Sequence, residues 1–180
     1  MKITMKSIII LVMVMCGGTY TQIAQAQIGV TAGTEYGIGG IARAGSHNMT
    51  VELGGGFAPF FFYLSVIGGR DISHLYFPGV VGAKLSFALT DEQDPHRAGL
   101  KFGATYNSLI GIGFGGGLDY KVSKKDPVYI AGCLMIHPSA KQLLVDRLNE
   151  DEDTNYSESQ VNAPLAAIQI VVSISYLLGN

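Results

Sequence analysis

The sequence predicts an all-β fold, an eight-stranded antiparallel up-and-down barrel with a short helix in its last long connection. Three observations predict it. From Ala98 to Val122 the residues alternate strictly: Leu100, Phe102, Ala104 and Tyr106 share one face, Lys101, Gly103, Thr105 and Asn107 the other. Such a period of two belongs to strands, because successive Cβ atoms point to opposite sides of the pleat. The two faces also differ in kind, one oily and the other made of glycine and small residues with an occasional charge. Finally, no apolar run of 18 or more residues follows residue 26. A chain of this kind enters lipid only as a closed sheet, since a lone strand leaves its amides unpaired there.

Residues 1–26 read as a secretory signal peptide, leaving 27–180 as one domain. Lys2 and Lys6 form its charged start, Ser7 to Met15 its apolar centre, and Ala24-Gln25-Ala26 its small-x-small cleavage site. Cys16 does not suit a lipid-modified cysteine, because Met15 stands where a small residue should precede it.

The strands follow in order. The first spans Ile28 to Ala44, with Gly39-Gly40 as a bulge if it does not project beyond the membrane. Gly45 to Asn48 is a turn, and Met49–Phe57 is the second strand. Ala58-Pro59 breaks the chain before a third strand, Phe60–Ile67. A loop, Gly68–Pro78, leads to the fourth strand, where Val81, Ala83, Leu85, Phe87 and Leu89 share a face. Asp91–Arg97 turns into the fifth and sixth strands, within Ala98–Val122. Ser123–Pro127 turns into the seventh, Val128–His137. In the long connection Pro138–Asn162, Ser139 and Gln142 have capping-box spacing, and Leu143, Leu144 and Leu148 give a short helix one apolar side. Glu150–Ser159 reads as acidic, polar and mobile. The last strand runs from Pro164 to Leu178. An even strand number puts both termini at one end and the two long loops, Gly68–Pro78 and Pro138–Asn162, at the other. Gly45–Asn48 falls with those loops, while Ala58-Pro59 and Ser123–Pro127 fall with the termini.

Charge decides which face meets lipid. Removing Lys2 and Lys6 leaves 10 Lys+Arg beside 14 Asp+Glu, a net charge of −4, with no electrostatic case for nucleic acid. Cys133 is the single mature cysteine, so no intramolecular disulfide forms. Only Glu35, Arg43, Glu52, Lys84, Lys101, Asp119 and Lys121 lie in strands, too few for a water-facing wall. Turned inward, Glu35 and Glu52 pair with Lys84 and Lys101, with Asp119 nearby. An eight-stranded interior is just wide enough for side chains to fill it. Aromatic residues then form two girdles, with Phe57, Phe60, Tyr120 and Tyr176 at the termini's end and Tyr106, Tyr76 and Phe77 at the other.

Signal peptide, eight short strands, glycine-rich inner faces and the Leu118-Asp119-Tyr120-Lys121-Val122 pattern resemble the small bacterial outer-membrane β-barrel superfamily over essentially all of the mature chain. The resemblance implies an exported, non-enzymatic protein of the cell outer membrane, surrounded by outer-membrane lipid, with no cofactor. It implies a structural or surface-interaction role through the outer loops, toward another envelope or surface component. The chain departs from that pattern at its end, Tyr176-Leu177-Leu178-Gly179-Asn180, where such proteins often carry a terminal aromatic residue.

Two alternatives stand beside this reading. His137-Pro138-Ser139 resembles the outer-membrane lipid A deacylases, which implies a catalytic set of His137 as base, Ser139 as nucleophile and Glu150, Glu152 or Glu158 as the orienting acid. Ala140 stands where that family carries asparagine, and Ser139 already has a role as helix cap. A secreted soluble barrel carrying an apolar ligand is the other. The glycines of 111–116 have dinucleotide-motif spacing but lie in a strand with no following helix. His47, His74 and His137 share the outer rim without ligand spacing, so no metal site is expected. The acidic run Glu150–Asp153 reads as a solvated face.

Overall fold

The computed structural model describes residues 25–66, 70–91, 96–122, 125, 127–152, 154–162 and 167–178. The charged start and apolar centre of the expected signal peptide lie outside the described residues, as do Ile67, Pro164 and parts of the expected turns Asp91–Arg97 and Ser123–Pro127. In chain order the elements are β1 (Gln25–Gly33), β2 (Ile38–Gly45), β3 (Met49–Phe57), β4 (Phe60–Val66), β5 (Arg70–Tyr76), β6 (Gly79–Ala88), β7 (Arg97–Asn107), β8 (Gly111–Lys121), β9 (Val128–Ile136), α1 (Ala140–Glu152), β10 (Val161–Asn162) and β11 (Ile168–Leu178).

Eight of these strands close a barrel in the ring order β1-β11-β9-β8-β7-β6-β3-β2, every neighbour antiparallel. Closure comes from β1 on β11, from Ile28 opposite Leu178 to Gly33 opposite Ser173. Closure gives each barrel strand a neighbour on both sides, and among the described residues the β1-facing edge of β11 is paired from Ser173 to Leu178. The fold class expected from the sequence holds, helix in the last long connection included, but two strand assignments change.

The expected single strand Ile28–Ala44 is two strands. Gly33 and Gly37 have positive φ and flank a sharp turn. A Cβ on Gly37 would strike the Phe57 carbonyl, so only glycine fits. Phe60–Ile67 is strand as far as it is described, yet it lies outside the barrel. β4 pairs with β5 and β10 in a separate three-stranded sheet, and β3 pairs directly with β6 from Phe57 opposite Gly79.

These changes alter which turns share an end. The turns after β2, β6 and β8 lie with the termini, so Gly45–Asn48 and His47 move to that end. Ala58-Pro59 moves to the opposite end, with both long excursions. There α1 builds a small core of its own. Leu144, Val145 and Leu148 pack on Phe60 and Ile110, flanked by Tyr76, Leu109 and Tyr156. Phe60 therefore belongs to this cap core and not to an aromatic girdle.

Ser139 holds the N-cap position, its carbonyl accepting the Leu143 amide at 3.1 Å. The stretch expected as a mobile acidic loop is partly helix. Beyond it the Asn149 side chain accepts from Tyr156 N at 2.8 Å and donates to Tyr156 O at 2.9 Å. Glu150 and Asp151 pair with Arg147 at 3.3 and 3.2 Å. The Tyr76 hydroxyl donates to Asp151, and burial with that carboxylate raises its pKa above the ordinary phenol value.

Candidate functional site: the barrel interior

Alternation sends the oily face out. Phe102, Phe114, Leu118, Ile170 and Ile174 are all exposed, whereas Glu35, Arg43, Glu52, Lys84, Lys101 and Asp119 are each at most 4% exposed. The interior is thus the charged side of the wall. Burying an ion is costly unless it is paired and hydrogen-bonded, and here each carboxylate has several partners.

Glu35 leaves the β1–β2 turn, points inside and accepts from Lys84 and Ser173, with Lys101 Nζ at 3.3 Å. Lys101 also reaches Glu52 Oε1 at 2.6 Å. Arg43 clasps Glu52 Oε2 through Nε at 2.7 Å and Nη2 at 2.6 Å. The same guanidinium meets Asp119 Oδ2 at 3.1 Å and lies over the Tyr129 ring at 4.2 Å. Arg97 Nη1 completes Asp119 at 3.1 Å, while Ser86 Oγ donates to its other oxygen at 2.5 Å. The five expected interior residues are therefore brought together, joined by Arg43, Arg97 and Tyr36. Arg97 opens β7 and does not belong to the expected turn. Its odd parity with Gly99, Lys101, Gly103, Thr105 and Asn107 is the signal that puts it inside.

Tyr36 shows why the inner face is so rich in glycine. Its ring is fully buried and its hydroxyl donates to Glu52 at 3.2 Å. A Cβ on Gly54 would lie 2.5 Å from that ring, and one on Gly82 would lie 3.0 Å from it. Gly113 makes the same kind of room for His137, whose Nε2 would lie 2.5 Å from an added Cβ.

His137 stands just past β9. It is 1% exposed, and its Nδ1 faces the Gly111 carbonyl at 3.3 Å. Its Nε2 is buried without a hydrogen-bond partner. Burial lowers its pKa below the ordinary imidazole value. His137 lines a cavity of about 380 Å³ at the cap end, with Glu35 also on its wall. Ser139 is exposed on the outside of the cap and Glu150 pairs with Arg147. Among the described residues no hydrogen bond joins His137 to Ser139 or Glu150, so the structure does not bring this trio together.

Of the expected girdle residues, Tyr120 and Tyr176 lie outward toward the termini's end. Phe57 and Tyr106 lie outward toward the cap. The His74 side chain lies outside the described residues. Among the described residues no cluster of His, Cys, Asp and Glu suits a metal ion. Fold and site together define a closed antiparallel barrel with a buried ion network and a capped end. In comparison with known proteins, no family model, curated protein or solved structure matches the chain.

Proposed function

We propose that this chain is an integral outer-membrane β-barrel protein with a filled, non-conducting interior. Its cap of α1 and the β4–β5–β10 sheet is the part offered to another envelope or surface component. The observation that carries this reading is the inverted polarity of the wall, with ions sealed within and an oily belt without. A protein dissolved in water gains nothing from that arrangement, since burying apolar surface is the main favourable term of folding. In acyl chains the same belt is the solvated state.

Strand length agrees. β7, β8 and β11 have 11 residues each, β6 has ten and β3 and β9 have nine, against about 9–11 for a tilted bilayer-crossing strand. The ion network supports the filled interior, because residues of opposite walls touch across it, Arg43 meeting Asp119 at 3.1 Å.

The test is extraction and migration. The mature protein should leave cell envelopes only with detergent, and should run at different apparent sizes on a gel before and after boiling. Release into plain buffer as a monomer would overturn the reading.

A further inference from the structure

We propose that the cap-end cavity binds a single-chain amphiphile with an uncharged, hydroxyl-bearing head, such as a monoacylglycerol, admitted sideways between β1 and β11.

The cavity falls within the size range of small-molecule sites, about 300–1,000 Å³. Val80, Met135, Val171 and Phe60 give it apolar walls. Its polar chemistry is set by His137. A carbonyl only accepts, so the Nδ1 facing Gly111 must carry the proton. In the neutral ring Nε2 then presents a lone pair, and that buried atom lacks a partner. A hydroxyl on the ligand supplies the missing donor. Thr105 and Asn107 line the same wall and add polar contacts. A carboxylate head would instead meet the Nε2 lone pair and Glu35. An ammonium head would find Glu35 already held by Lys84, Lys101 and Ser173.

The way in lies at the barrel seam. β11 pairs with β9 up to Ile168 opposite Ile136, but with β1 only as far as Ser173. Thr34 ends the β1 side, donating N–H to the Val172 carbonyl at 2.7 Å and accepting the Val172 amide at 2.9 Å. Beyond it, among the described residues, no strand pairs with the β1-facing edge of 168–171. Thr34, Gln169 and Ile170 line the cavity at this gap, and Ile170 is 79% exposed on the outer wall. An acyl chain lying along the outer belt at Ile170 thus meets the cavity that Val171 and Met135 line on its inner side. The sideways route rests on the membrane reading; the cavity and its lone pair do not.

The experiment uses the mature protein in phosphatidylcholine nanodiscs with a monodecanoylglycerol carrying a diazirine at the chain end. After irradiation, adducts are mapped by peptide mass spectrometry. Adducts are expected on Met135 and Val171. Excess monodecanoylglycerol should suppress them about fivefold or more, and decanoate should not, a ratio in keeping with one hydrogen bond. Val171→Trp, which fills the cavity, should abolish them in protein that still shows heat-modifiable migration. His137→Phe should remove the preference for the hydroxyl head while keeping the fold. Adducts confined to outward residues such as Ile112 and Ile174, or equal competition by decanoate, would overturn the proposal. Protein that enters the discs without interior adducts sinks this inference alone. Protein that stays out of the discs sinks the membrane reading, and the same labelling in buffer then decides the cavity.

Discussion

Arg43 and Asp119 meet at 3.1 Å from strands that lie directly opposite each other in the ring, four neighbours apart in either direction. Their side chains span the barrel's full width. One ion pair thus ties two walls that share no backbone hydrogen bonds.

Asp119→Asn should therefore be among the most damaging single changes. It removes the charge facing both Arg43 and Arg97 and leaves them buried. A loss of about 3–5 kcal/mol is expected, because breaking a buried pair strands its partners. Urea unfolding in lipid vesicles measures it. A loss below about 1 kcal/mol would place the network in water.

Gly54→Ala should cost about 1–3 kcal/mol, since the new Cβ meets the clamped Tyr36 ring at 2.5 Å. Removing the ring tests the cause. In the double variant with Tyr36→Ala the alanine at 54 should cost almost nothing, a non-additivity expected of touching side chains. Equal penalties in both backgrounds would refute the contact.

Ile174→Lys probes the outer wall. Ile174 sits mid-strand, opposite Ala32 and Ile130. If the belt faces acyl chains, a lysine there costs about 2–4 kcal/mol near the bilayer centre. A neutral or stabilising effect is the outcome for a wall in water.

His137 supplies a pH dependence with a definite sign. Burial depresses its pKa in the folded protein, whereas the unfolded chain titrates near 6.5. Below that value the unfolded state binds more protons, so stability falls as pH drops below about 6.5. His137→Phe should flatten this part of the curve. The difference between the two proteins' unfolding midpoints at pH 7.5 and 5.5 reads it directly, and an unchanged difference would refute it.

Strict alternation made β3, β6, β7, β8, β9 and β11 legible from the residues alone. It failed at the β1–β2 turn for a physical reason. Thr34 to Gly37 is a four-residue turn, and an even insertion preserves parity, so Ile28, Val30, Ile38 and Ala42 still share a face. Only Tyr36 breaks step, and Gly33 with Gly37 were the available markers. β4 was readable as strand but not as a strand outside the barrel, because its aromatic, β-forming residues do not specify which neighbour they pair with. The two errors cancel in the count of eight. Among site residues, the inward charges follow from parity and Arg97 could have been found by it. The orphaned His137 nitrogen could not, since it depends on where Gly111 of a neighbouring strand aims its carbonyl.

The direct seam between β3 and β6 has a further consequence. Phe57 faces Gly79 and the Ala58 amide reaches the Pro78 carbonyl at 3.2 Å, as though nothing lay between them. The intervening hairpin is then a graft on a finished cask, held by Phe60 and Tyr76 against α1 and by the pairing of β4 with β10. The whole hairpin can be exchanged without moving a single stave, with β10 left to take a new partner in the cap sheet.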